Sequence, residues 1–380
     1  MSYRIYLSPP SVGELEEEFV LDALRSGWVA PLGPHVDAFE SEVSDFVGVE
    51  HSVALSSGSA GLHLGLLALG VKPGDEVVVP TMTFASSAFA VAYVGAVPVF
   101  VDSEPESYNM DPELLASLLE SRARAGRLPS AVILVDIYGQ TADYARLLPL
   151  CAEYGVPVLE DAAEALGSAH ELGMAGTFGS VGVFSFNGNK IMTSSGGGML
   201  VTHDPLIAAR VRHLATQARM PVPWYEHEDI GFNYRMSNLL AALGRAQLSR
   251  LPAFIEHRSA IHRYYRGLLD GAGLRVIPDA PWSNLNHWLT VVTMRSDQVE
   301  AGREALGAVG VESRRAWKPM HLQPVFSHCD FVGSGVSAEL FSKALCLPSG
   351  NDLTRQDVAE VSQTLLDAVH VDSPEDADHS

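Results

Sequence analysis

The feature that most constrains this chain is a regular alternation. Short β-branched apolar runs recur at 51–57 (HSVALSS), 75–80 (DEVVVP), 97–102 (VPVFVD), 131–139 (AVILVDIYG), 156–161 (VPVLED), 181–186 (VGVFSF) and 198–202 (GMLVT). Between them lie helical stretches such as GSAGLHLGLLALG at 58–70 and TFASSAFAVAYVG at 83–95. Strands that are apolar throughout must be covered on both faces. The pattern therefore predicts an α/β fold with a parallel or mixed sheet between helical layers. An N-terminal arm and an amphipathic helix (SVGELEEEFVLDALRSG) precede the first strand.

After about residue 250 the texture changes. A long amphipathic helix over 251–271 (LPAFIEHRSAIHRYYRGLLDG), one strand over 288–294 (WLTVVTM) and two further helices predict a smaller α+β domain. The expected division is 1–250 for the arm and large domain, 251–370 for the small domain, and 371–380 for a disordered acidic tail.

Charge and cysteine content exclude several classes. A net charge of −21 argues against a nucleic-acid coat, and any anionic substrate must be held by locally gathered cations. Three cysteines, Cys151, Cys329 and Cys346, form neither a disulfide framework nor a zinc spacing. With no signal-peptide pattern at the start and no apolar run of membrane length, a cytoplasmic location is expected.

Open α/β sheets bind ligands at the carboxyl ends of their strands. Three such ends carry chemistry. Ser57-Gly58-Ser59-Ala60-Gly61 opens a helix, where small residues and free N–H groups suit a phosphate; by itself it also reads as a capped turn. Glu160 and Asp161 close a buried strand, with Glu164 on the turn beyond; either acid could face a cationic nitrogen, or Asp161 could merely cap a helix. Lys190 follows Phe184-Ser185-Phe186-Asn187-Gly188-Asn189 and precedes Gly196-Gly197-Gly198. It is one of four lysines, with Lys72, Lys318 and Lys343. A lysine placed so can be an imine-forming nucleophile or a loop residue. Together the three ends offer a phosphate cradle, an acid for a pyridine nitrogen and an amine for an aldehyde, which are the needs of pyridoxal phosphate. Phe84 could stack on its ring, or belong to helix core.

The order GSA, EDAAEALG, SFNGNK with GGG, and GFNYRMSN resembles the DegT/StrS-type nucleotide-sugar aminotransferases. The likeness runs from LSPPSVGELE and WVAPLGP to WKPMHLQPVF and LCLPSG. It implies fold type I of the pyridoxal-phosphate enzymes: a large domain with a mainly parallel seven-stranded sheet, a smaller C-terminal domain and a homodimer with shared sites. It implies that Lys190 holds the cofactor as a Schiff base and moves the proton, while Asp161 pairs with the pyridinium nitrogen. It puts Glu164 near the ring hydroxyl and Phe84 on the ring. Gly58, Ser59, Ala60 and Ser185 then hold the phosphate, with Asn233 reaching over from the second subunit.

Arg235 and Arg314 are the candidate substrate anchors, Lys318 a weaker one. Trp28 and Ala30 are candidates to border the nucleotide, and His321 the sugar. Ion pairs would also account for Arg314 and, more readily, Lys318; packing of the N-terminal arm would account for Trp28 and Ala30, and a structural role is the default for His321. The family's commoner HPTK, EDAAQAHG and GTAA are here NGNK, EDAAEALG and GSAG. These variants resemble the members that make UDP-4-amino sugars in bacillosamine pathways. The implied substrates are L-glutamate and UDP-2-acetamido-2,6-dideoxy-hexos-4-ulose. A dTDP- or GDP-linked 4-keto sugar and a non-catalytic regulator of the same fold stay open. Lys190 argues against the sugar dehydratases of the family, which carry histidine there, and the early glycine turn lacks the dinucleotide-binding spacing.

Overall fold

A computed structural model describes residues 3–370; the expected acidic tail lies outside them. The seven apolar runs form one sheet. Its order is His51–Leu55, Gly198–Thr202, Val181–Ser185, Val158–Asp161, Ala131–Val135, Glu76–Pro80 and Val97–Val101, and the two-residue strand Phe331–Val332 forms an eighth member at the far edge. Gly198–Thr202 runs antiparallel to both its neighbours, and the remaining pairings are parallel. The sheet is thus mainly parallel, with one strand more than expected. That edge strand comes from the chain beyond residue 250, pairing Phe331 with Phe100, and is too short to leave a pattern in the sequence.

Alternation along each strand divides the apolar side chains between two layers. Val77, Val79 and Ile133 join the core beneath helices Gly58–Ala68 and Ala85–Tyr93. Val78, Val132 and Leu134 face the other way, onto Leu115, Leu119, Leu147 and Cys151 of helices Pro112–Arg124 and Tyr144–Glu153. This is the two-residue period of a strand buried on both sides.

A separate core gathers Ile261, Tyr265, Leu269, Val292, Val361 and Leu365 around a four-stranded antiparallel sheet. Ile5 of the N-terminal arm belongs to this second core, and the Arg4 N–H donates to the Gly310 carbonyl at 2.8 Å. The helix expected at 251 begins earlier. A single helix, Asn238–Leu269, runs through Pro252 and across the expected boundary. An interior proline costs a helix about 3 kcal/mol. Here the cost is offset by burial along the helix, as where Gly244 packs so closely on Phe39 that a Cβ would stand 2.7 Å from its ring.

Two close approaches set the site. Helix Gly58–Ala68 lies almost directly on the sheet: a Cβ on Gly61 would stand 2.7 Å from Val183 Cγ1. Gly198 leaves room for the turn before that helix, since a Cβ there would stand 2.5 Å from Gly58 N. The helix N-terminus is thereby held at the carboxyl ends of Val158–Asp161 and Val181–Ser185. Among the described residues no helix is long and apolar enough to cross a membrane.

Candidate active site

The three strand ends enclose a cavity of about 390 Å³. Its lining includes Gly58, Ser59, Phe84, Asp161, Glu164, Ser185, Lys190 and Arg314 from the residues singled out in the sequence. Lys190 Nζ lies 3.3 Å from Glu164 Oε1 and 4.1 Å from the centre of the Trp288 ring. The lysine loop is tied down by the Trp288 indole N–H, which donates to the Asn189 carbonyl at 2.7 Å.

The two acids are held by different partners. Asp161 Oδ2 accepts from the Ser87 hydroxyl at 2.6 Å, and its Oδ1 from the Ala163 N–H at 3.2 Å. Burial raises its pKa, while Ser87, the Ala163 N–H and Lys190 work against the shift. Glu164 Oε2 accepts the Tyr138 N–H at 2.7 Å. Burial raises Glu164 too, opposed first by the charge of Lys190. Two buried carboxyls beside one ammonium leave an acidic pocket suited to a second cation, such as a protonated pyridine.

At the phosphate end, Ser57 is the helix cap. Its Oγ accepts from the Ala60 N–H at 3.0 Å. The Ala60 amide, expected at the phosphate, is therefore engaged by the cap, and the amides of Gly58 and Ser59 are left as the first-turn donors. The Ser59 hydroxyl donates to Ser86 Oγ at 2.8 Å. Ser185 stands so near the turn that a Cβ on Gly58 would lie 3.0 Å from its own Cβ. Helix N-terminus, clustered hydroxyls, buried acids and amine together fit pyridoxal phosphate: phosphate, ring nitrogen and aldehyde each meet a matching group. Phe84 is half-exposed at the mouth and meets Trp317 edge-on, with ring centres 6.0 Å apart.

Other candidates lie elsewhere. Ala30, Asn233 and Arg235 line a separate cavity of about 530 Å³, and Trp28 is exposed. Arg235 is buried, donating to Glu40 Oε1 at 2.7 Å and to the Ala54 carbonyl at 3.1 Å, so its guanidinium is already committed within this chain. Asn233 Oδ1 accepts from the Gln217 amide at 3.1 Å. His321 is stacked on Phe331 at 3.7 Å with its Nδ1 2.6 Å from Thr81 Oγ1, outside the lining of the cavity. Arg314 pairs with Glu312 at 2.7 Å, at the point where the cavity meets a groove floored by Tyr6, Ser8, Pro9 and Pro10.

Sequence reasoning missed Ser87, Trp288 and Trp317. Ser87 sits in a helix of small residues with no local signal. Trp288 reads as the first residue of a core strand; its pairing with the lysine loop spans 99 positions of chain.

The model of the DegT/DnrJ/EryC1/StrS aminotransferase family matches residues 10–366. A Bacillus subtilis (strain 168) protein named for pyridoxal phosphate-dependent aminotransferases, EpsN, is 43% identical over 380 residues, covering 97% of both chains. The GDP-perosamine synthase of Caulobacter vibrioides is 34% identical, covering 95% of this chain and 97% of its own. The aminotransferase TlmJ from Streptoalloteichus hindustanus superposes with a TM-score of 0.91 at 32% identity, covering 97% of this chain and all of that one.

Proposed function

The chain belongs to the DegT/DnrJ/EryC1/StrS aminotransferase family and is a pyridoxal-phosphate enzyme, and from that premise we propose that it moves the amino group of L-glutamate to C4 of a UDP-linked 4-keto-6-deoxy sugar. The observation that carries the aminotransferase chemistry is Lys190 Nζ, nearly buried, 3.3 Å from Glu164 and in one cavity with Asp161 and the capped helix N-terminus. When bound, the cofactor supplies an electron sink that lets an amino group leave one carbon and join another. Lys190 is its covalent anchor. Once the donor's amino group has displaced Lys190 Nζ from that link, the freed amine would take a proton from the carbon bearing the reacting nitrogen and deliver it, across the same face, to the carbon on the nitrogen's far side. Asp161 holds a negative charge against the ring nitrogen, and Ser87 orients that carboxylate. Glu164 holds the lysine head within reach, and Trp288 packs against it. The Gly58 and Ser59 amides and the Ser185 hydroxyl receive the phosphate.

The nucleotide sugar enters past Trp317 and Arg314, with the diphosphate at Arg314 and the nucleoside along the Tyr6–Pro10 groove. NGNK, EDAAEALG and GSAG favour the UDP sugar; the likeness to a GDP-perosamine synthase supports the GDP-linked reading. Incubation with L-glutamate and UDP-, dTDP- and GDP-4-keto-6-deoxy sugars, read by mass, separates them. Amination of the GDP sugar alone would overturn the UDP reading.

The active unit is a homodimer whose sites take Asn233 from the second copy. Asn233 and Arg235 lie outside the lining of the Lys190 cavity, and the exposure of Trp28, Tyr225 and Ile230 beside the segments that line the Asn233 cavity supports this. Mixing inactive Lys190→Ala and Asn233→Ala proteins should restore activity, because one site of each mixed pair is intact. No restoration, or a monomeric mass in solution, would reject the shared site.

A further inference from the structure

Outside the lining of the Lys190 cavity, three side chains from two segments converge. Among the described residues, His262, Asp279 and His287 form a group whose ligand atoms all lie within 4.8 Å of one another. His262 projects from the long helix, while Asp279 and His287 belong to the segment that leads into strand Thr290–Thr293. His262 Nε2 lies 3.5 Å and His287 Nδ1 3.9 Å from the same oxygen, Asp279 Oδ1. Neither nitrogen makes a hydrogen bond, although His262 is only 4% and His287 only 8% exposed. Buried polar atoms without partners are uncommon and call for an explanation. The two rings are stacked, 4.3 Å apart with an interplanar angle of 26°. His287 holds a left-handed backbone, φ 49°, which is unusual outside glycine.

We propose that His262 Nε2, His287 Nδ1 and the Asp279 carboxylate bind a divalent transition-metal ion of the zinc type. Ligands at roughly 2.0–2.1 Å around a tetrahedral ion stand about 3.4 Å apart; the two His–Asp spacings, 3.5 and 3.9 Å, are close to that, and the stacked rings would tilt apart to aim both lone pairs at one ion. Asp279, half-exposed, supplies the charge and the entry path, and leaves the fourth position to water. His262 Nδ1 lies 3.3 Å from Thr290 Oγ1, the kind of outer contact that fixes a ligating ring and its tautomer. Arg263 and Arg266 are the nearest cations and disfavour hard ions such as Mg2+, which lack the nitrogen affinity that offsets them. The ion would tie the long helix to the segment carrying Trp288, whose ring packs against Lys190. It is a structural clamp outside the Lys190 cavity, distinct from the aminotransferase chemistry.

The test is Zn2+ binding to the purified holoenzyme, measured by competition with a chromophoric chelator and by metal content after equilibrium dialysis. One ion per chain is expected, not displaced by millimolar Mg2+. His262→Gln and His287→Gln should each weaken binding by about 100-fold or more, and Thr290→Val by roughly tenfold. Asp279→Asn alters an exposed side chain and keeps the test decisive if the histidine variants fail to fold; it too should weaken binding at least about tenfold. Cys329→Ser, a control for the half-buried thiol, should change nothing. At equal Zn2+ the melting temperature of the wild type should rise more than that of Asp279→Asn. No stoichiometric Zn2+ in the wild type, or undiminished affinity in Asp279→Asn, would overturn the site.

Discussion

Glu160 and Asp161 are consecutive in one strand, and both are hidden from water, at 0% and 5% exposure. They nevertheless do opposite work. Asp161 points into the cavity, where a serine hydroxyl, one N–H and the distant charge of Lys190 surround it. Glu160 points to the other face. Its two oxygens accept the N–H groups of Gly176 and Phe178, and its neighbour is a second buried acid, Asp136. Asp136 Oδ1 accepts from the Tyr144 hydroxyl at 2.7 Å and from the Ala142 N–H at 3.0 Å. Burial pushes Glu160 up to about 6, and burial followed by the charge of Glu160 holds Asp136 well above the carboxylate range. The back pair is thus a structural unit whose raised acids favour a proton between them, which would also serve the otherwise unpartnered Asp136 Oδ2. The front acid has both oxygens hydrogen-bonded too, but it looks onto an open cavity in which a cation can be placed beside it. Burial alone does not mark a functional acid; the open cavity it faces does.

The comparison breaks most severely at the amine. Lys190→Arg should fold and lose about 10⁴-fold or more of kcat, together with the visible absorbance of the bound cofactor. A variant turning over normally would remove Lys190 from the chemistry.

The sharpest crossing is between the two neighbours. Asp161→Asn should lower kcat by roughly 10²–10³-fold and weaken cofactor retention, with little change in urea midpoint. Glu160→Gln should do the reverse. It sets an amide N–H against a backbone N–H and costs about 1–3 kcal/mol of stability, with kcat within about twofold for the folded fraction. Equal effects on rate would erase the front–back distinction.

Ser87→Ala removes the hydroxyl that orients Asp161 and lowers its pKa. A drop of about tenfold in kcat is expected, with KM for glutamate nearly unchanged. The acidic limb of the pH–rate profile should move to higher pH, because losing that hydrogen bond raises the carboxyl pKa further. A fixed limb would show that Ser87 only packs.

The smallest effect is in pH dependence. Because the folded pair binds protons more tightly than the unfolded chain, stability falls as pH rises from the ordinary glutamate range of 4.5 through about 6. Asp136→Asn should flatten that decline by about 1–2 kcal/mol between pH 5 and 7.5, measured as the difference between wild-type and variant urea curves. Parallel curves would mean the pair holds no extra proton.

Much of this was legible in the chain. The apolar runs at 75–80, 131–139 and 156–161 announce buried strands, and the structure places them adjacent in one sheet. Lys190, Asp161, Ser59 and Ser185 stand at strand ends that the pattern already marks, and they meet in one cavity. The edge strand Phe331–Val332 is not legible, because two residues carry no periodicity and their pairing exists only once Val97–Val101 is in place. The long helix is missed at its start because Pro252 reads as a boundary, whereas packing along both sides of it carries the helix through.

Local chemistry, written as residue type and period, was therefore determined by sequence alone: which segments are strands, where they end, and which ends bear an amine, an acid or a phosphate turn. Only the tertiary structure decided how those groups divide. It turned Asp161 to the cavity and Glu160 to the back, engaged the Ala60 amide with Ser57, committed Arg235 to Glu40, and brought Trp288 to Lys190. The physical reason is that a strand alternates its side chains without saying which face will be the open one. That choice belongs to the helices and distant segments that cover it.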